Sequence, residues 1–168
     1  ATLGALASIV VAGRAQAQSD TVKIGLILPM TGPFASTGRQ IDAAVKLFLA
    51  QGGNKAGGKK VEVILKDDAG APDTTRRLAQ ELVVNDKVTV LAGFGLTPCA
   101  LAAAPIATQS KTPLVVMAAG TSSITEASPF VTRTSVTLPQ VAVGMAEWSH
   151  KNGIKKVITL VSDFGPGI

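Results

Sequence analysis

Several groupings in this chain have residue types and spacings that could carry chemistry. The stretch Gly53-Asn54-Lys55-Ala56-Gly57-Gly58-Lys59-Lys60 approaches the glycine-rich loop that cradles phosphates. Lys60 stands where a Mg²⁺-binding hydroxyl is needed, and the stretch should run from helix to strand, so no helix N-terminus faces a phosphate. A solvated turn is the better reading. Gly93-Phe94-Gly95-Leu96-Thr97-Pro98 sits between a strand-like run and a helix, the context of a dinucleotide fingerprint. Pro98 replaces the third glycine, and no acidic residue ends the next strand at Met117-Ala118-Ala119-Gly120. The loop still brings backbone N–H groups and the Thr97 hydroxyl to a helix start. Asp67-Asp68 could act as paired carboxylates in acid–base or metal chemistry. No histidine and no third carboxylate accompany them at ligand spacing, so a role in the loop and at the next helix start is expected. Cys99, in the first turn of a helix, and His150, near a helix C-terminus, could pair as thiol nucleophile and base. No group to orient them is identifiable. Neither a nucleophile elbow nor a Ser/His/Asp set is visible, so no enzyme is expected and no cofactor is implied.

Composition narrows the classes further. Across 168 residues, sixteen Lys and Arg against eleven Asp and Glu give a net charge of +5. Charged residues make up 16% and apolar residues 46%, against roughly 25% charged in an average soluble chain. That balance excludes disorder, which needs low hydrophobicity with high net charge. One cysteine excludes a disulfide framework, and one histidine argues against a His-rich metal site. Lys59-Lys60 and Lys155-Lys156 are short and far apart, and the chain has no tyrosine, so nucleic acid is not an expected partner.

The elements that must position these residues follow from periodicity. Continuously apolar, β-branched runs at 22–28, 61–65, 88–92, 114–117 and 157–161 read as strands buried on both faces. Ile41, Ala44, Val45 and Phe48 share a helical face, as do Val141, Met145 and Trp148. Asp73 is placed to cap a helix over 74–85, and Pro98 to open one running to residue 110. Gly52-Gly53, Gly57-Gly58 and Gly153 fall where helices should stop. The alternation is that of an α/β, doubly wound, mostly parallel sheet. Residues 1–17 read as part of a cleavable signal, an uncharged run followed by Ala15-Gln16-Ala17, too short to span a membrane. Residues 18–134 then form one lobe, and 135–168 the opening of a second, cut short.

The residues Leu28-Pro29-Met30-Thr31-Gly32-Pro33-Phe34-Ala35-Ser36-Thr37-Gly38, following the first strand, resemble the opening of the periplasmic Leu/Ile/Val-type solute-binding proteins of ABC importers. The similarity continues through Lys66-Asp67-Asp68-Ala69-Gly70-Ala71-Pro72, Ala92-Gly93-Phe94-Gly95-Leu96-Thr97, Ala119-Gly120-Thr121 and Arg133-Thr134, and covers residues 21–168. It implies a type I periplasmic binding protein fold with the solute held between two lobes. It also implies a periplasmic protein, monomeric when full length, that serves permease subunits and spans no membrane itself. Ligand contacts are implied at Thr97 and Thr121 by side chain, at Ala119 by backbone, and at Leu96, Thr37 and Phe164. Taken alone, a threonine after a strand reads as a helix cap and Phe164 as core. Two hydroxyls beside helix starts can equally satisfy a carboxylate. The expected ligand is therefore a small carboxylate-bearing solute, an amino acid or a small organic or aromatic acid. The same fold as the sensing domain of a receptor or regulator is the alternative.

Overall fold

Residues 20–161 and 163 are described by the structure, a computed structural model; the expected signal segment and Phe164 lie outside them. The first apolar run becomes β1 (Thr21–Leu28), which sits inside a six-stranded sheet. Its companions are β2 (Lys55–Ala56), β3 (Lys59–Asp67), β4 (Val90–Gly93), β5 (Leu114–Val116) and β6 (Val131–Arg133), in the order β2-β3-β1-β4-β5-β6. Every pairing is parallel except that of β2 with β3. The expected doubly wound α/β fold is borne out.

Helices cover both faces, which is why the strands carry no polar alternation. On one face, α2 (Pro72–Val84) and α3 (Thr97–Ser110) bury Leu78, Leu82, Ala100, Ala103 and Ala107 against Ile27, Leu91, Leu114 and Val116. On the other, α1 (Ala35–Phe48) lays Ile41 and Val45 on Leu26, Leu28 and Ala92. Successive residues of β1 thus serve opposite layers. The α1 layer is the thinner one, and an apolar groove of about 560 Å³ remains between α1 and the sheet, lined by Ile24, Val45, Phe48, Val63 and Met117.

Several expectations are corrected. Gly57-Gly58 does not end a helix: both residues are left-handed (φ 57° and 80°) and turn the β2–β3 hairpin. The near-match to a phosphate loop is therefore a hairpin turn, as its sequence context suggested. Asp73 does not cap α2, because Pro72, with φ already suited to a first helical position, starts the helix earlier and Ala71 takes the cap position. Residues 157–161 form no strand: Ile158 and Leu160 are 97% and 99% exposed. A strand needs a neighbour for its N–H and C=O groups, and none of the described strands lies beside this run. Helix α4 (Leu138–Lys151) forms as expected, but Val141, Met145 and Trp148 stay exposed.

Candidate functional site

The rim formed by the carboxyl ends of β1, β4 and β5 is where a doubly wound sheet offers a ligand crevice. β1 lies between β3 and β4, with α1 leaving to one face and α2 to the other. The loops meeting here are cross-pinned by backbone. Phe94 N–H donates to the Ile27 carbonyl at 2.9 Å, and Met117 N–H to the Gly93 carbonyl at 2.8 Å. Gly93 and Phe94 are both left-handed (φ 112° and 63°), and Phe94 is fully buried. Two such residues in succession turn the chain sharply out of β4 and deliver Leu96 and Thr97 to the rim.

Thr97 opens α3 and is only 2% exposed, while Thr121 precedes the 3₁₀ turn Ser122–Glu126 and is half-buried. Neither hydroxyl caps the helix beside it. The two oxygens instead hydrogen-bond each other at 2.8 Å. Thr137 shows what capping looks like in this chain: its hydroxyl accepts from Gln140 N–H at 3.4 Å, and its own N–H donates to Gln140 Oε1 at 2.7 Å. A hydroxyl pair retains unused lone pairs and one free proton. In the first turn of α3 the amides of Thr97 and Cys99 have no acceptor within the helix, Pro98 carrying no N–H and Ala100 donating to the Leu96 carbonyl at 3.1 Å. The pair can therefore receive an oxyanion.

The other implied residues divide. The Ala119 N–H is already given to the Phe94 carbonyl at 3.1 Å, so that amide is withdrawn from any ligand. Leu96 Cδ1 and Phe34 Cδ2 lie 3.0 and 3.5 Å from where a Cβ on Gly70 would stand, which joins three loops at the rim. Thr37 sits half-buried in the first turn of α1, its N–H on the Phe34 carbonyl at 3.1 Å, with no hydrogen bond to Thr97 or Thr121. Sequence reasoning missed Phe34, a 41% exposed aromatic beside Leu96, and Arg133, whose Nη2 donates to the Thr121 carbonyl. An aromatic following a strand-end Pro-Met-Thr-Gly-Pro was the available signal for Phe34. Arg133 lies on β6, 12 residues from the Thr121 carbonyl that it reaches.

The acid pair has a structural role. Asp67 Oδ1 accepts from Met30 N–H (2.8 Å), Thr31 N–H (3.3 Å) and Ala69 N–H (2.8 Å), and Oδ2 from the Thr31 hydroxyl (2.7 Å). Buried Asp68 accepts from Gly70 N–H at 2.9 Å and from the Thr75 hydroxyl at 2.8 Å. Among the described residues no cluster of His, Cys, Asp and Glu could hold a metal. Cys99 is buried beside Thr75 and Asp68; burial first, and then the Asp68 carboxylate, push its thiol up to about 11, the opposite of what a nucleophile needs. His150 stands exposed on α4.

Desolvation pushes the Asp67 carboxyl upward, but the Thr31 hydroxyl and the amides of Ala69, Met30 and Thr31 outweigh it and hold the carboxyl below its ordinary value. A group depressed on folding contributes stability above its unfolded pKa and loses it as pH falls through the folded one. Thermal melting followed from about pH 6 to about pH 3 should show that acid-side loss, with a shallower fall in Asp67→Asn. An identical slope in the variant would mean these bonds do not anchor the β1–α1 loop.

The fold and this rim define a class. The family model for the periplasmic binding protein matches residues 21–166, and the chain belongs to that family. Among curated proteins it is similar to Leu/Ile/Val-binding protein homolog 6 of Brucella abortus (strain 2308), 47% identical over 153 residues, which are 90% of this chain and 39% of that protein. Among solved structures it is similar to a solute-binding protein of an ABC transporter from Rhodopseudomonas palustris BisB5, in complex with 3,4-dihydroxybenzoic acid. That match is 64% identical with a TM-score of 0.86, over 89% of this chain and 41% of the other. A second R. palustris solute-binding protein, in complex with 4-hydroxybenzoate, is 44% identical with a TM-score of 0.83, over 88% and 40%. The chain spans about two fifths of the length of these relatives.

Proposed function

We propose that this chain is the first lobe, with the start of the second, of a periplasmic solute-binding protein that delivers a small aromatic carboxylate to ABC permease subunits. The observation that carries this reading is the Thr97–Thr121 hydroxyl pair, set on the loops that follow β4 and β5 and spared from capping. The ligands of the two R. palustris proteins support the choice of an aromatic acid. The lobe division near residue 134, the cleaved signal over 1–17, the periplasmic location, the permease partners and a monomeric full-length state belong to the same proposal. So do the contacts at Thr37, Leu96 and Phe164. No helix among the described residues is long and apolar enough to cross a membrane.

Calorimetric titration of the full-length protein with 3,4-dihydroxybenzoate, 4-hydroxybenzoate and leucine tests the reading. Saturable binding of the aromatic acids, with leucine weaker or absent, is the expected result. Binding of leucine alone would sink it.

A further inference from the structure

One cation at this rim, Arg133, forms no ion pair among the described residues. Arg133 ends β6, in register with Val116 at the end of β5. Its Nη2 donates to the Thr121 carbonyl, while its Nε is buried without any hydrogen-bond partner. No carboxylate among the described residues forms an ion pair with it, and Asp67 and Asp68 are engaged elsewhere. Arg133 is half-buried, so water screens its charge only in part and its field reaches the groups around the Thr121 carbonyl that it holds. Thr121 is thereby held from two sides, its hydroxyl by Thr97 and its carbonyl by Arg133.

We propose that Arg133 is the specificity-determining cation of the solute site: it fixes Thr121 and sets a positive charge beside the hydroxyl pair, so that a carboxylate is taken in preference to its neutral amide. The inference rests on the reading that Thr97 and Thr121 receive the solute. Arg133 acts through Thr121 and the local field, as a positioning residue rather than a direct contact. Ser135 Oγ, two residues on, is also buried without a partner, which states the competing explanation: the segment leaving β6 awaits other chain, and Arg133 is merely structural.

The test compares 4-hydroxybenzoate with 4-hydroxybenzamide, titrated into the full-length protein and its Arg133→Gln and Arg133→Lys variants. Glutamine removes the charge and keeps an amide donor on a shorter stem, and lysine keeps the charge without the planar fork. Arg133→Gln should weaken the carboxylate by about 10- to 100-fold and leave the amide nearly unchanged, while Arg133→Lys keeps most of the preference. An equal loss for both ligands, or an unchanged ratio, overturns the inference and leaves the structural explanation. If Arg133→Gln does not fold, Arg133→Met, which keeps an apolar stem and removes the charge, decides: a lost preference supports the role of charge, and a retained one overturns it. A wild-type protein that binds no aromatic acid defeats the functional reading itself, which separates the two failures.

Discussion

Thr97→Val and Thr121→Val, each made in the full-length protein, will weaken solute binding by about 10- to 150-fold, because a hydrogen bond to a charged group contributes about 1.5–3 kcal/mol. Valine keeps the β-branched shape, so packing around Thr97, 2% exposed, is preserved while the oxygen is lost. The hydroxyls bond each other at 2.8 Å, so each substitution also frees the partner to rotate away from the ligand. The double variant should therefore lose less than the two single losses combined, as coupled groups do. Stability without solute should change by no more than about 1 kcal/mol in Thr97→Val, since half-buried Thr121, left without its partner, can turn to water. Titration calorimetry and denaturant unfolding on the same samples separate the possibilities. Full affinity with about 1 kcal/mol of lost stability would return both residues to a purely structural role.

The second large effect is on the fold. A Cβ on Gly93 would lie 2.2 Å from the Ile27 carbonyl oxygen and 3.0 Å from its carbon, at a φ of 112°. The obstacle is backbone of the adjacent, paired strand, so no rotamer change relieves it. Gly93→Ala should cost more than about 3 kcal/mol, summing left-handed strain and overpacking. The displaced strand end carries Leu96 and Thr97 with it, so any folded remainder should also bind poorly. Gly57→Ala is the control: its φ of 57° is left-handed too, yet nothing lies within 4 Å, so only about 1 kcal/mol of backbone strain is expected. Equal stability of the two variants in urea would show that the strand pairing at Ile27 yields to accommodate the methyl.

Much of the architecture was legible in the chain. The runs 22–28, 61–65, 88–92 and 114–117 coincide with β1, β3, β4 and β5 within a few residues, because burial on both faces writes itself as unbroken apolar, β-branched sequence. The rejection of the phosphate loop and of the Cys99–His150 pair also rested on local chemistry, and the hairpin at Gly57-Gly58 and the buried thiol agree with it. The glycine pair was nonetheless misread as a helix stop, since glycine marks a left-handed turn without saying which elements it joins. The run 157–161 was misread for a related reason. Its composition suits a strand, but hydrogen bonds to a neighbour make one, and composition cannot supply the neighbour.

The candidate site divides along the same line. The sequence by itself determined that Thr97 and Thr121 each stand between a strand and a helix start, and that no nucleophile, metal cluster or nucleotide fingerprint is complete around them. Only the tertiary structure decided that the two hydroxyls, 24 residues apart, meet at 2.8 Å instead of capping, that Phe94 takes the Ala119 amide, and that Arg133 reaches the Thr121 carbonyl. Capping is a contact across a few residues and can be read from spacing. A hydroxyl pair and its cation depend on which strand ends a parallel sheet sets side by side, and strand order is decided by the packing of whole layers.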